Sequence, residues 1–452
     1  MSLQAYIQAA LAEIKASDVT AKPMTYLLAT FLFVLFVYSL DSNPKSKAPF
    51  LNPRRAFELT AERPKGIYVR GCRSLLKTWF NTHPNEPAQL ITDFGNMTVL
   101  PPSMANEVRN DPNLSFNDFI GDASKITKPL ADETALAVPD LFGDSKEWHS
   151  LPLKDTILTL VARISSRVFL GEELCRNEAW HKISREYTTT VFPAADVLRA
   201  YPAGIIRSIA ARLLPICRAA SAQVAEARSV LRPVLERRAA AKKAAAAEGR
   251  KVEFNDAVEW FENAAAKAGA DYEPAAMQLF LSIVAIHTTS DLLTQVMEDL
   301  AGHPEVVEDL RTEIKEVLSD GGWKKTSLTN MKLLDSVIKE SQRLKPTQLG
   351  DGYRFYNIRR SGEPGKENTS LLVSTTPEHM GFGHGIHACP GRFMAANEIK
   401  IALVFILLNY DWKLPEGVKP KTHEFGIALN TDAAVEILAR KREDDFDLSG
   451  IE

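Results

Sequence analysis

At 452 residues the chain can hold one large domain or two to three ordinary ones, and 45% hydrophobic with 25% charged residues is globular composition, not that of a disordered chain. A formal net charge of −3 argues against nonspecific nucleic-acid binding. The four cysteines, Cys72, Cys175, Cys217 and Cys389, have no framework spacing, which speaks against a disulfide scaffold and fits a reducing compartment.

The first predicted element is Met24 to Leu40 (MTYLLATFLFVLFVYSL), an uncharged run opened by Pro23 and closed by Asp41. Its length is near the lower end of the ~17–25 residues that span a bilayer as a helix. Tyr26 and Tyr38 stand at its ends, where interfacial aromatics belong. A cleaved signal peptide would carry a basic start, a shorter apolar core and small residues at the cut, none of which is present here. Lys45, Lys47, Arg54 and Arg55 follow the run, against Lys15 and Lys22 before it, so the positive-inside rule places the body in the cytosol. The predicted order is a lumenal segment (1–23), a transmembrane helix (24–40), a linker (41–55) stiffened by Pro44, Pro49 and Pro53, and the main body (56–452).

The body reads as mainly α with a minor β component. Helical periods run from Pro152 to Leu170 and from Ser221 to Glu248, the latter ending in the solvated alanine- and lysine-rich stretch Ala239–Ala247. A long helix is expected from Pro274, suited to a first turn, to about Leu300, ahead of Gly302 and Pro304. Another runs from about Leu333 to Lys345 and stops at Pro346. Gln89–Thr92 and Ala434–Leu438 are strand-like, and no internal repeat is visible.

Near the C-terminus, Phe382-Gly383-His384-Gly385-Ile386-His387-Ala388-Cys389-Pro390-Gly391 places one cysteine in a glycine-punctuated loop ahead of an apolar helical pattern, Phe393–Leu408. A sulfur just before a helix N-terminus meets unpaired N–H donors and the positive end of the dipole, which lowers a thiol pKa and favours a thiolate ligand. Gly385 and Gly391 allow tight turns and a close approach to something flat. A buried structural thiol, or a zinc site built from His384, His387 and Cys389, is the competing reading of these residue types.

The ten-residue stretch resembles the cysteine-ligand loop of the cytochrome P-450 superfamily, F-x-x-G-x-[R/H]-x-C-x-G, at Phe382, Gly385, His387, Cys389 and Gly391. The resemblance implies the P-450-like helical fold with one N-terminal transmembrane helix, a haem whose iron takes Cys389 as axial ligand, and His387 near a haem propionate. Glu340 and Arg343, three apart on one helix face, resemble the family's E-x-x-R pair, with Arg354 as third member of a structural cluster that fixes the cysteine loop. Ala285-Ile286-His287-Thr288-Thr289 resembles the family's oxygen-activating helix segment: Thr288 matches the alcohol that helps deliver protons, and His287 stands where an acid is usual.

The resemblance implies a fungal monooxygenase of secondary metabolism, similar to enzymes that oxidise terpenoids or related compounds, the ent-kaurene oxidase-like group among them. It would insert one oxygen atom of O2 into a lipophilic, terpenoid-like substrate, with electrons from NADPH-cytochrome P-450 reductase at the endoplasmic reticulum membrane and no nucleic-acid partner. Two stretches depart from the pattern. Arg343 and Arg354 lie close together where family members place several tens of residues, and the segment near 120–127 lacks the helix that holds a propionate. A truncated, haem-free relative acting as scaffold or relic is therefore the alternative. The sequons at Asn96, Asn113 and Asn368 would go unused on a cytosolic body.

Overall fold

Prolines, glycines and acidic caps divide the chain into helices in the computed structural model, which describes residues 47–105 (without 57, 59, 93 and 94), 126–344 (without 200, 202–204 and 270), 371–443 (without 378, 386 and 387), 446 and 448. In chain order, α1 (Glu62–Thr82) leads into the hairpin β1 (Ala88–Thr92) and β2 (Gly95–Val99). Helix α2 (Thr127–Phe142), strand β3 (His149–Pro152) and helix α3 (Leu153–Phe169) follow. Then come α4 (Glu178–Arg199), α5 (Ile205–Leu213), α6 (Pro215–Ala247), α7 (Ala257–Ala268) and the long α8 (Pro274–Leu300). Helices α9 (Pro304–Gly321), α10 (Lys325–Asn330) and α11 (Lys332–Leu344) precede α12 (Arg392–Asn409). The chain then forms β4 (Tyr410–Lys413), the hairpin β5 (His423–Phe425) and β6 (Ala428–Asn430), and β7 (Glu436–Lys441). The body is mainly helical with a minor sheet component, as the periodicity predicts.

Local chemistry explains the boundaries. The Glu273 carboxylate accepts from the Ala276 N–H at 2.6 Å and Pro274 occupies the first turn, so α8 starts where expected. Asp256 caps α7 by accepting from the Glu259 N–H, and Gly269, at φ 63°, ends that helix in the left-handed region. Helix α6 begins earlier than predicted, because Pro215 supplies its first turn. Strand β7 begins at Glu436, two residues later than predicted, because the Asp432 carboxylate and carbonyl take the Ala434 and Val435 N–H groups in a turn.

The sheets are small. β1 and β2 pair antiparallel, β3–β7–β4 form a three-stranded antiparallel sheet, and β5 pairs with β6. The β5–β6 turn needs glycine: Gly426 has φ 59°, and a Cβ there would meet the Tyr68 ring at 2.5 Å. The predicted membrane helix at 24–40 and most of the linker lie outside the described residues. Among the described residues, Pro274–Leu300 is the helix long and apolar enough to cross a membrane, yet 56% of its apolar window is buried in the protein, as suits a core helix.

Helix α8 runs through the centre, packed on α3, α11 and α6, while α12 packs on α2 and α9. Ile401, Leu403, Ile406 and Leu407 on α12 are fully buried, an all-round apolar helix enclosed by others. Buried charge is paired. Glu133 accepts from Arg163 and Arg176, and Arg238 pairs with Asp256 at 2.7 Å.

Glu398 differs: fully enclosed on α12, it has one side-chain partner among the described residues, the Ser165 hydroxyl, which donates to it at 2.6 Å. Burial pushes its pKa up to about 8 against the smaller opposing effect of that hydrogen bond. The folded state therefore holds a proton here that the unfolded chain has released, so this site takes stability away as pH rises from ~4.5 towards 8. Glu398→Gln is expected to remove that slope and to raise the melting temperature more at pH 8 than at pH 5. An unchanged slope in thermal melts across this range would contradict it.

Candidate active site

The cysteine loop is shaped by its own backbone. The Gly383 N–H donates to the Met380 carbonyl at 2.8 Å, the Cys389 N–H to the Phe382 carbonyl at 2.7 Å, and the Ala388 N–H to the Gly385 carbonyl at 3.1 Å. Gly383 (φ 74°) and Gly385 (φ 63°) occupy the left-handed region. Gly391 does not need its conformational freedom: as N-cap of α12 it has φ −78°, open to any residue. The turning role assigned to it by sequence belongs instead to Gly383. Phe382 packs against the main core and anchors the loop. Ile386 and His387 lie outside the described residues.

Cys389 is exposed, whereas Cys72, Cys175 and Cys217 are buried. Its sulfur faces the start of α12, where the N–H groups of Gly391 and Arg392 and the Arg392 charge all lower its pKa. Desolvation by the protein packed behind the sulfur is larger, and the thiol lies above its ordinary value. This corrects the sequence expectation of a lowered pKa: the helix terminus contributes as foreseen, but burial outweighs it. A thiol so placed becomes a thiolate when a metal ion displaces its proton.

Helix α11 supports this loop. Arg343 donates to Glu340 through Nε at 2.8 Å and through its terminal nitrogen, forming the predicted bidentate pair. Arg354 lies outside the described residues. Sequence reasoning missed the other supports. Asp335 holds Lys400 of α12 at 2.6 Å and accepts the Leu372 N–H at 2.9 Å, while Lys339 donates to the Leu371 carbonyl at 2.7 Å. Gln342 lies flush on Gly381, where a Cβ would come within 2.4 Å of its amide oxygen. Only the abrupt polar residues in an otherwise apolar α12 could have signalled them.

Helix α8 carries the other residues that the sequence singles out, Thr288 and His287. Phe280, Val284 and Thr288 recur every fourth residue and so share one face. They are exposed, the first two at 45% and 43%, on a helix whose other sides are largely buried. The Thr288 hydroxyl donates to the Val284 carbonyl at 3.0 Å, and can leave that bond for another acceptor. His287 is half-buried, and its Nε2 is enclosed with no hydrogen-bond partner among the described residues. Burial, then the charge of Lys154, lowers its pKa, so the ring is neutral at physiological pH. Among the described residues no group of three or more His, Cys, Asp or Glu side chains gathers to hold a metal ion.

An open thiol at a helix start, an apolar face left uncovered and an orphaned imidazole nitrogen match a flat, largely apolar prosthetic group with one cysteine ligand. The family model for cytochrome P450 matches residues 97–349 and 365–435. The chain belongs to the cytochrome P450 family. It is a haem-dependent monooxygenase whose cofactor is held by a cysteine thiolate, using O2, a small-molecule substrate and a redox partner that supplies electrons.

This P450 is similar to cytochrome P450 monooxygenase TRI1 of Fusarium sporotrichioides, 39% identical over 480 positions, covering 89% of this chain and 87% of the relative. Cytochrome P450 monooxygenase hepE of Aspergillus oryzae is 40% identical over 499 positions, with 93% and 90% covered. Cytochrome P450 monooxygenase 1 of Gibberella fujikuroi is 39% identical, with 80% of this chain and 99% of the relative covered. The first two alignments are longer than the 452 residues of this chain, so both relatives carry segments that this P450 lacks. The family match itself breaks off after residue 349 and resumes at 365.

Proposed function

We propose that this P450 is a membrane-anchored monooxygenase of fungal secondary metabolism, oxidising a lipophilic substrate of terpenoid or related type at the cytosolic face of the endoplasmic reticulum. The apolar Phe280–Val284 face left open beside Thr288 carries the reading, because a hydrocarbon substrate can cover it and lose water in doing so. The uncharged 24–40 run supports the anchor, and the fungal relatives support the biosynthetic setting. NADPH-cytochrome P-450 reductase is the electron donor in this reading.

Cys389 would hold the haem iron, with the Gly391 and Arg392 N–H groups donating to its sulfur and tuning the charge it would donate. By the family pattern His387 would pair with a haem propionate, and Phe382, Gly385 and Gly391 would belong to the loop that holds the haem. The haem, when bound, supplies activation of dioxygen, one atom entering the substrate and the other leaving as water. Thr288 and His287 bring the protons: the hydroxyl rotates from the Val284 carbonyl towards the reacting centre, and neutral His287 replenishes it. Glu340 and Arg343, with Arg354, stabilise the loop without touching substrate.

Microsomes containing the full-length chain and the reductase, fed terpene hydrocarbons under 18O2 with NADPH, are expected to yield products carrying one 18O label. Turnover only of non-terpenoid lipophiles would overturn the substrate class. Thr288→Ala is expected to lower product per NADPH consumed by about tenfold or more, with peroxide released instead. Since Thr288 is exposed and its loss frees only one helix carbonyl, the melting temperature should barely move. The segments missing relative to TRI1 and hepE favour a second reading, a haem-free relative. Purified protein without iron porphyrin after haem-supplemented expression would support that one.

A further inference from the structure

The chain enters the body along a rigid strip. The Gln89 N–H of β1 donates to the Pro49 carbonyl at 2.8 Å, and the Leu51 N–H donates to the Gln89 carbonyl at 2.9 Å. Residues 49–51 therefore lie beside β1 as a short parallel partner. Asn52, only 2% exposed, donates to the Pro64 and Ile91 carbonyls at 2.9 and 2.8 Å and accepts the Ile91 N–H at 2.8 Å. Arg63 of α1 donates to the Pro53 carbonyl at 2.7 Å, and the Arg55 N–H donates to the Glu58 carboxylate at 2.8 Å. The backbone that carries Arg54 and Arg55 is thus held from both sides.

The cations on this strip have no counter-charge of their own. Lys47, Arg54 and Arg55 are exposed, and none of them is in an ion pair among the described residues. The two acids nearest in sequence are engaged elsewhere: Glu58 pairs with Arg63 at 2.8 Å, and Glu62 lies 3.8 Å from Lys65. Between residues 47 and 77 eight lysines and arginines stand against those two acids, in a chain whose net charge is −3. So local an excess suits an anionic surface outside the protein. Position says which surface. Lys47 follows the end of the apolar run at Leu40 by seven residues, so even a fully extended chain keeps it within about 25 Å of that end. We propose that Lys47, Arg54 and Arg55 form a shelf that takes the headgroups of anionic phospholipids and thereby sets the height and tilt of the body over the bilayer. The inference rests on the membrane anchor of the reading given above.

The anchor limits how far the shelf can stray, and lipid charge decides how much of that slack is used. Guanidinium groups fit phosphate oxygens in pairs, and cations beside an anionic leaflet gain roughly fivefold in occupancy each. Because the backbone is already fixed, little ordering cost opposes that gain.

The test uses the full-length chain in lipid nanodiscs, with the photo-crosslinker p-benzoylphenylalanine in place of exposed Ala56, beside the two arginines. Discs containing phosphatidylserine are expected to give about tenfold more lipid adduct than discs of phosphatidylcholine alone. Arg54→Gln/Arg55→Gln should bring the yield down to the phosphatidylcholine level, and so should about 0.5 M NaCl, which shortens the range of the attraction. Both side chains are exposed and unpaired, so the melting temperature should stay where it is. Equal yields in the two lipids, or yields that neither the double variant nor salt lowers, overturn the proposal. Adducts with added reductase in place of lipid overturn it too, by making the shelf a protein-docking surface. Extraction of the unlabelled chain from membranes by alkaline carbonate tests the anchor separately. A chain stripped off by carbonate defeats the anchor reading and this inference with it. A chain that stays, with adducts indifferent to phosphatidylserine, defeats only the inference.

Discussion

Cys389→Ala is expected to give a folded, full-length protein that binds little iron porphyrin and lacks the red-shifted Soret band of the reduced, carbon monoxide-treated haem-thiolate enzyme. Two observations set the size of the effect. The residue is exposed but its sulfur is partly desolvated and takes the Gly391 and Arg392 N–H groups, so its loss should cost about 1 kcal/mol, too little to unfold the protein. No other thiol can replace it: Cys72 and Cys175 are buried, with pKa values pushed up by desolvation to about 11 and about 12, and Cys217 is buried as well. Cys389→His should retain some haem through an imidazole ligand, yet still lose the thiolate band. The raised pKa of the Cys389 thiol adds a pH dependence, since iron must displace its proton. Below that pKa, haem affinity of the apoprotein should rise up to about tenfold per pH unit, measured by titration with haemin. A thiolate band surviving in Cys389→Ala would remove the ligand assignment altogether.

The second large effect lies in the support of the loop. Lys400→Met should lower unfolding free energy by about 3–5 kcal/mol, because it strands the Asp335 carboxylate in the interior. Both side chains of this pair are only 6% exposed, at 2.6 Å from each other. Lys400 also donates to the Leu328 carbonyl at 2.8 Å, and Asp335 takes the Leu372 N–H, so the pair joins α12, α10, α11 and the strand of chain leading to the cysteine loop. Lys400→Met/Asp335→Asn removes both charges while the amide oxygen still accepts from Leu372. Its residual loss should be about 1–2 kcal/mol, so the double variant is more stable than Lys400→Met alone. Denaturant unfolding of the three proteins measures this, and equal midpoints for the single and double variants would show that the stranded charge is not the cause. Haem retention should follow the same order, since the loop hangs from this clamp.

How much of this was legible in the chain depends on whether the signal is local. The starts of α8 and α12, the end of α11 before Pro346 and the apolar face of α12 rest on caps, prolines and periodicity within a few residues, and the described helices begin and end close to where those signals stand. The Glu340–Arg343 pair is likewise a matter of spacing on one helix. The cysteine loop could be recognised from ten consecutive residues. Strand β7 was displaced by two residues because a side chain of Asp432, rather than any strand propensity, decides where the turn ends.

The sequence by itself determined a mainly helical body, the position of its cysteine, and the helix that carries Thr288 and His287, since each depends on neighbours in the chain; the activity came from the resemblance of the cysteine loop to a known family. Tertiary structure alone decided which way the Cys389 pKa moves, because burial is a property of everything packed behind the sulfur and here exceeds the pull of the helix terminus. It alone brought Lys154 and Thr431 to Asp291 across separations of 137 and 140 residues, and Lys400 to Asp335. Charges so far apart in sequence leave no periodic trace. They meet only where the packing of α8 and α12 against their neighbours excludes water and makes pairing obligatory.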